Sequence, residues 1–320
     1  MRLSPILCLF PIVLFAEPEK RPIATTGQLH ARLVDASFEL LVNGRLEGMG
    51  FLVDPNGYAV TVWHAVGGGK DRIEVRSGKL GRAEVRHIAS DRGHDLALLK
   101  LPKREEPYPY LPLARNLPGP GNEVFLLGAP IFRHKVFIRG TIARKGTTFE
   151  YVNGSFVEGI HVSAITPGGC SGGAWVNRRG EVFGLQSASM TVNGTHQGIA
   201  TATPVKAIRR ILELKKDIHQ PTLELAVEEL WGQEVKYIRE VPDDTRGLVV
   251  RQLKKNGVAD KAGVKEWDLI LKVNGKTIEL TDEFMRFLRR KKPGQLIHLN
   301  VSEKDGGNPR KVKIELAPLK

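Results

Sequence analysis

The sequence predicts a mainly β protein in two domains, strand-rich from 38 to 214 and then a small α+β unit from 222 to 320. Three observations carry this. Short apolar runs bounded by turn signals recur from Phe38 to about Thr203, with almost no long helical pattern, as antiparallel sandwiches and barrels require. Pro204–Leu214 then sets Val205, Ile208, Ile211 and Leu212 at helical spacing between basic residues, so a helix closes the first region. After the polar stretch 215–221, which ends in a proline and reads as a linker, strand and helix patterns mix.

The first elements are Phe38–Val42 before Asn43-Gly44, and Gly50–Val53 before Asp54-Pro55-Asn56-Gly57. Leu96–Leu99, Glu123–Gly128, Ile160–Val162 and Glu181–Leu185 follow as further strands. In the second region Gly247–Val250 is a strand, Gly257–Gly263 a short helix with a glycine stop, and Asp268–Gly275 a strand into a turn. Phe284, Phe287 and Leu288 share one helix face, and Ile297–Val301 and Val312–Leu316 alternate as strands.

At the N-terminus, Arg2 precedes an apolar run from Leu3 to Ala16 that is broken by Ser4, Pro5 and Pro11 and followed by charged residues. This reads as a secretory signal peptide over 1–16, with 17–37 as an N-terminal segment of the exported chain. A membrane span needs about 20 apolar residues, so an uncleaved anchor is the weaker reading. Composition excludes several classes. With 320 residues, 41% hydrophobic and 26% charged, the chain has material for packed cores, which rules out disordered and fibrous proteins. Its two cysteines, Cys8 and Cys170, exclude a disulfide scaffold and a zinc cluster built from thiols. Removing the signal peptide would leave Cys170 as the sole thiol.

The net charge of +13 is spread over the chain: +8 from Glu17 to Pro221 and +4 from Thr222 onward. The densest run is Arg289-Arg290-Lys291-Lys292, preceded by Arg286 on the same helix; a solvated helix face is the plain reading. No zinc finger, RNA-binding aromatic signature or basic-leucine pattern accompanies it, so no nucleic-acid partner is expected. Peripheral contact with an anionic membrane surface or an acidic substrate fits the charge better.

Pro167-Gly168-Gly169-Cys170-Ser171-Gly172-Gly173 puts a serine among glycines between two strands. Such a turn can point consecutive N–H groups into one concavity, as oxyanion stabilisation requires; a glycine hairpin without chemistry has the same composition. Two other segments shift the balance. Thr61–Val66 ends a strand on His64, a candidate general base, and Asp95 opens the apolar strand Leu96–Leu99, where a carboxylate could orient that histidine. The chain order His64, Asp95, Ser171 is that of chymotrypsin-fold proteases.

With these motifs the sequence resembles the HtrA (Deg) family of serine proteases bearing PDZ domains. Gly48–Val53 with Asn56-Gly57-Tyr58 resembles its first hairpin, Gly128-Ala129-Pro130 its Gly-Asn-Pro turn, and Ala174–Asn177 with Gly180–Val182 its strand pair after the nucleophile. The resemblance implies a chymotrypsin-like double β-barrel protease domain over 38–214 and one PDZ domain over 222–320. It implies Ser171 as nucleophile, His64 as base, Asp95 as its orienting carboxylate, the N–H groups of Gly169 and Ser171 as oxyanion hole, and no metal or cofactor. Cys170 is a rival nucleophile, but Gly172-Gly173 stand directly after Ser171, so the register favours the serine.

By the same resemblance Ile165, six residues before the nucleophile, lies at the base of the primary specificity pocket, with Leu185, Gln186, Ser187, Ala200 and Thr201 as its walls. An aliphatic base implies cleavage after small or medium apolar residues. The PDZ peptide groove would lie between the Phe284–Leu288 helix face and a strand near Leu223-Glu224-Leu225, taking a ligand as an added strand. The chain departs from the family pattern at Trp63, Cys170, Ser163–Thr166, Glu224 and Trp267, and a carboxylate at 224 could repel a ligand C-terminus.

The implied function is a secreted, periplasmic or cell-envelope endopeptidase of unfolded or misfolded proteins, trimeric as its relatives are, whose PDZ domain recruits C-terminal peptides or regulates the site. A chaperone-like or peptide-binding protein with little proteolytic activity is the alternative class. A processing enzyme with a single natural substrate is a third reading.

Overall fold

The computed structural model describes residues 21–67 and 71–320. The signal peptide expected over 1–16, the first four residues of the segment after it, and Cys8 lie outside these described residues.

A helix that sequence periodicity did not mark opens the described chain. This is α1 (Thr26–Ala36), started by a capping box in which the Thr25 hydroxyl accepts the Gln28 N–H and the Gln28 side chain accepts the Thr25 N–H. It buries Leu29 and Leu33, so the segment before residue 38 belongs to the body of the first domain.

Seven antiparallel strands follow: β1 (Ser37–Val42), β2 (Arg45–Leu52), β3 (Tyr58–Thr61), β4 (Ile73–Ser77), β5 (Gly81–Glu84), β6 (Arg86–Asp91) and β7 (Leu96–Lys100), in the order β5-β4-β1-β2-β3-β7-β6. The Val85 N–H extends the β4–β5 ladder by donating to Ile73 O at 3.0 Å, and Val85 is the one residue between β5 and β6, the two edges of this sheet. The second set is β8 (Glu123–Gly128), β9 (Val136–Ile142), β10 (Thr148–Val152), β11 (Ser155–Ser163), β12 (Ala174–Val176), β13 (Val182–Val192) and β14 (Thr195–Pro204). Pairing of β11 with β9 closes it into a barrel, from which β10 extends. Each sheet has its own apolar interior, around Phe38, Leu40 and Leu99 in the first and around Trp175, Phe183 and Ile160 in the second. A third core fills the seam between them, where Phe51, Leu98, Phe125 and Leu185 meet Leu29 and Leu33 of α1 and Ile208 and Ile211 of α3 (Val205–Leu214). Loops at this seam hold the candidate site.

The stretch 215–221 is a bound strap. Ser90 donates its N–H to Asp217 Oδ1 at 2.8 Å, Ile218 returns an N–H to Ser90 O at 2.8 Å, and the Gln220 amide reaches Asp91 Oδ2 at 3.1 Å. The second domain then begins with β15 (Pro221–Thr222). Its main sheet comprises β16 (Leu225–Glu229), β17 (Leu248–Leu253), β18 (Leu269–Val273), β19 (Lys276–Thr277), β20 (Leu296–Ser302) and β21 (Arg310–Glu315), while β22 (Ala317–Pro318) pairs with β15. The helices are α4 (Val235–Ile238), α5 (Val258–Lys261) and α6 (Thr281–Arg289), the last burying Phe284, Met285 and Leu288.

The two domains share one apolar core: Phe149 and Phe156 of the β10–β11 hairpin pack with Leu223, Leu225, Phe284 and Leu288. Polar contacts frame the junction. Asp282 at the start of α6 accepts from Thr148 Oγ1 at 2.8 Å and from the Phe149 N–H at 3.1 Å through one oxygen, and from Arg144 Nη2 at 3.0 Å through the other. Truncating Phe156 removes a ring that is 8% exposed, so Phe156→Ala is expected to lower unfolding stability by about 3 kcal/mol in urea titrations. Hydrogen exchange of the α6 amides should quicken with it.

Candidate active site

Asp95 sits at the seam at the end of a 3-10 turn (Arg92–His94), with a left-handed backbone (φ +50°) that aspartate tolerates better than most residues. Its carbonyl accepts the Trp63 N–H at 3.2 Å, its Oδ1 accepts the His64 N–H at 2.9 Å, and its Oδ2 lies 2.8 Å from His64 Nδ1. Three bonds from one residue thus fix the short helix α2 (Trp63–Val66) and the ring it carries. The Ser187 hydroxyl donates to the same Oδ2 at 2.5 Å. Burial favours the neutral ring of His64, but the hydrogen bond and charge of Asp95, with Glu47 adding to them, outweigh it and hold the imidazole above its ordinary pKa.

Ser171 joins this group through Ser187. The Ser171 hydroxyl donates to Ser187 O at 3.3 Å, and among the described residues it makes no hydrogen bond to His64. The backbone around it is fixed: Met49 donates its N–H to Ser171 O at 2.7 Å, Gly172 to Gln186 O at 2.7 Å, and Cys170 to Pro167 O at 3.2 Å. The N–H groups of Gly169 and Ser171 donate to nothing among the described residues, so two donors flanking Cys170 are uncommitted. The turn depends on its glycines. A Cβ on Gly169 (φ +98°) would stand 2.2 Å from Ala129 O, and one on Gly172 (φ +86°) would stand 1.9 Å from Met49 O.

Cys170 turns the other way. Its side chain is fully buried in the second barrel beside Gly128, and burial pushes the thiol up to about 12. A thiol so placed is a packing group, which removes it as a rival to Ser171. Trp63 packs under the Arg92 guanidinium, 4.8 Å from ring centroid to Cζ, and Arg92 in turn binds Asn153 O at 2.9 Å and Lys320 O at 2.8 Å.

The spacing rule that puts Ile165 at the base of a specificity pocket does not hold in this structure. Ile165 is 60% exposed, because its neighbour Thr166 takes the inward place, bonding Ser189 Oγ at 2.6 Å and the Gln186 amide at 3.1 Å. Leu185 belongs to the seam core, and Gln186 is spent on internal bonds, accepting the Trp175 indole N–H at 2.8 Å. Ser187 and Thr201 do line a cavity of about 220 Å³ beside His64, whose other walls include Trp63, Val157 and Ala188. The role of Ser187 as a partner of both Asp95 and Ser171 escaped sequence reasoning, since no local motif marks it.

The PDZ groove residues divide as well. Leu223, Leu225, Phe284 and Leu288 line one cleft between β16 and α6, but Phe156 of the first domain closes it to a residual cavity of about 10 Å³. Glu224 points elsewhere. Burial disfavours its charge, but Lys254 and the Val258 N–H (3.0 Å) hold its carboxyl below the usual range, so it fastens the 254–258 loop and lies outside the cleft, whose one charged lining residue is Arg289.

Residues 48–185 match the family described as trypsin-like peptidase domain, and residues 231–316 match the PDZ domain family. A relative from Hahella chejuensis, named a probable periplasmic serine endoprotease DegP-like, is 31% identical over 85% of this chain and 57% of its own length. One of the same name from Rickettsia conorii is 30% identical over 70% of this chain and 44% of its own. The chain thus spans about half the length of these curated relatives. Among solved structures, the HtrA-type protease AlgW with a decapeptide superposes with a TM-score of 0.65 at 21% identity, covering 93% of this chain and 99% of AlgW. The serine endoprotease from Yersinia pestis gives 0.63 at 24% identity, covering 93% and 99%. The chain joins a region that matches the trypsin-like peptidase domain family to one that matches the PDZ domain family, and it is similar in sequence to the DegP-like endoproteases and in fold to the HtrA-type proteases.

Proposed function

We propose that the chain is a serine endopeptidase of unfolded or partly folded polypeptides, exported to the periplasm or cell envelope. The observation that carries this is the Asp95 carboxylate, which holds the His64 ring on one side and the Ser187 hydroxyl of the strand beside the Ser171 turn on the other, next to two uncommitted N–H groups. Ser171 Oγ attacks the peptide carbonyl while His64 Nε2 takes its proton. Asp95 accepts a hydrogen bond from the Nδ1–H, which fixes the tautomer that leaves Nε2 free, and it stabilises the imidazolium that forms. The N–H groups of Gly169 and Ser171 receive the oxyanion, each worth roughly 3 kcal/mol in comparable sites. The imidazolium then protonates the leaving amine, and water repeats the sequence on the acyl-enzyme.

Substrate side chains have two places to go. The cavity beside His64 takes one apolar residue, and Ile131 and Phe132, both at least 60% exposed next to the glycine turn, offer an apolar rim to an extended chain. Such surfaces suit segments that folded proteins keep buried. A C-terminal peptide entering the PDZ cleft must displace Phe156, which makes the module a regulator of domain docking as much as a recruiter. Trimeric assembly is part of this reading and is read by sedimentation velocity.

The Ser171 hydroxyl's bond to Ser187 O favours a second reading, in which the protein binds polypeptides and rarely cleaves them. Labelling by a fluorophosphonate in the presence of denatured casein separates the two. Under the enzyme reading Ser171 alone is labelled, and Ser171→Ala lowers turnover by roughly a million-fold; an unlabelled wild-type chain would refute it.

The pH profile follows from the raised His64 pKa. Only the neutral ring accepts the serine proton, so activity is lost as pH falls through that pKa, and the acid limb of kcat/KM has its midpoint above 6.5. Asp95→Asn removes the charge that raises it, so the limb should move to lower pH while the rate drops by about 10⁴. A wild-type midpoint below 6.5 would contradict this assignment.

A further inference from the structure

The basic run at the end of α6 is more than a solvated face. Arg289 turns inward, and its Nη2 donates to Phe156 O at 2.7 Å and Gly93 O at 3.2 Å in the first domain. Its Nε and Nη1 are shut off from solvent and have no acceptor. Asp91 and Glu158 supply the negative charge beside this buried cation. The guanidinium lines a cleft of about 400 Å³ between the domains, which also receives Lys206 and Arg210 from α3 and Arg286 and Arg290 from the end of α6.

Five cations therefore face this space, with Glu158 the one carboxylate among its walls. Glu158 is already engaged by His94, Thr147 and Lys206, and Arg286 by Asp282 and Thr147 O. Arg210 and Arg290 stand on opposite domains and take part in no side-chain hydrogen bond or ion pair among the described residues. Like charges brought together by domain docking repel unless an anion lies between them.

We infer that this cleft is a binding site for a phosphate-bearing anion that bridges the two domains through Arg210 and Arg290. Guanidinium groups match phosphate oxygens in bidentate fashion, and the space exceeds that of one phosphate, so a chain of two or three phosphates fits it better than a carboxylate. A free oligophosphate and the headgroup of an anionic phospholipid share this chemistry. The site owes nothing to the hydrolytic chemistry, and its test does not use it.

The experiment takes the full chain carrying Ser171→Ala and titrates it with tripolyphosphate by calorimetry at fixed ionic strength. In parallel it measures co-sedimentation with vesicles of phosphatidylcholine alone or mixed with phosphatidylglycerol. The expected result is saturable binding of one tripolyphosphate per chain, weakened at least about tenfold by Arg210→Gln with Arg290→Gln. These two side chains make no hydrogen bond or ion pair among the described residues and repel each other without an anion, so the double variant should melt no lower than the parent without ligand. Arg45→Gln, exposed on the far β1–β2 turn, should bind as the parent does. Vesicle binding that requires phosphatidylglycerol and is lost in the double variant assigns the headgroup as a source; binding in the soluble arm alone assigns the free oligophosphate. No saturable binding in either arm, or equal binding by the double variant, overturns the inference.

Discussion

The Asp95 carboxylate is the constraint on which the candidate site depends. It lies in the seam between two sheets, at 6% exposure, and its bonds reach two separate parts of the chain. Through its carbonyl and Oδ1 it holds the first turn of α2; through Oδ2 it holds the His64 ring and the β13 hydroxyl of Ser187. A buried carboxylate is tolerated only where such donors replace water. The left-handed turn that presents it is in turn fixed by its neighbour, since His94 is clasped between Asp91 Oδ2 at 2.8 Å and Glu158 Oε2 at 3.2 Å. Burial opposes a charge on that ring, but the two carboxylates prevail and raise its pKa, even against the positive charge of Arg289.

Domain docking reaches the same turn from the other side. Gln220 of the strap binds Asp91, and Arg289 of α6 binds the carbonyl of Gly93, two residues before Asp95. There is no room for a side chain at position 93, because a Cβ there would stand 2.2 Å from Arg289 Nη1 and 2.4 Å from Gln220 Cγ. The peptidase domain therefore does not merely adjoin the PDZ domain; the segment carrying Asp95 is packed by it.

Sequence reasoning read the two-domain β and α+β plan, because strand periodicity and glycine turns are local signals. The residues of the dyad and the serine turn were legible for the same reason: each lies in a short motif at the end of a strand. What stayed hidden depends on contacts between distant segments. Nothing local in Thr26–Ala36 announces that Leu29 and Leu33 fill the seam, and the capping pair Thr25 and Gln28 is the one signal that could have marked that helix. Ile165 misled because a rule of spacing presumes a loop conformation, whereas Thr166 here finds the better buried partners in Ser189 and Gln186. Of the expected PDZ groove residues, Leu223, Leu225, Phe284 and Leu288 line one cleft and Glu224 does not, and only the fold reveals that a phenylalanine from 67 residues upstream of Leu223 fills it.

The β10–β11 hairpin turns these separate contacts into one mechanical unit. Side chains alternate across a strand, and the register pairs Glu150 with Val157 and Val152 with Ser155 on one face, Tyr151 with Phe156 and Phe149 with Glu158 on the other. The first face walls the cavity beside His64. On the second face, Tyr151 and Phe156 pack edge to face at 5.1 Å, Phe156 closes the PDZ cleft, and Glu158 clasps the histidine next to Asp95. A backbone shift that withdraws Phe156 from the cleft carries Ser155 and Val157 with it, so the PDZ cleft and the space beside His64 are joined through one covalently continuous strand and without any longer path of coupled residues.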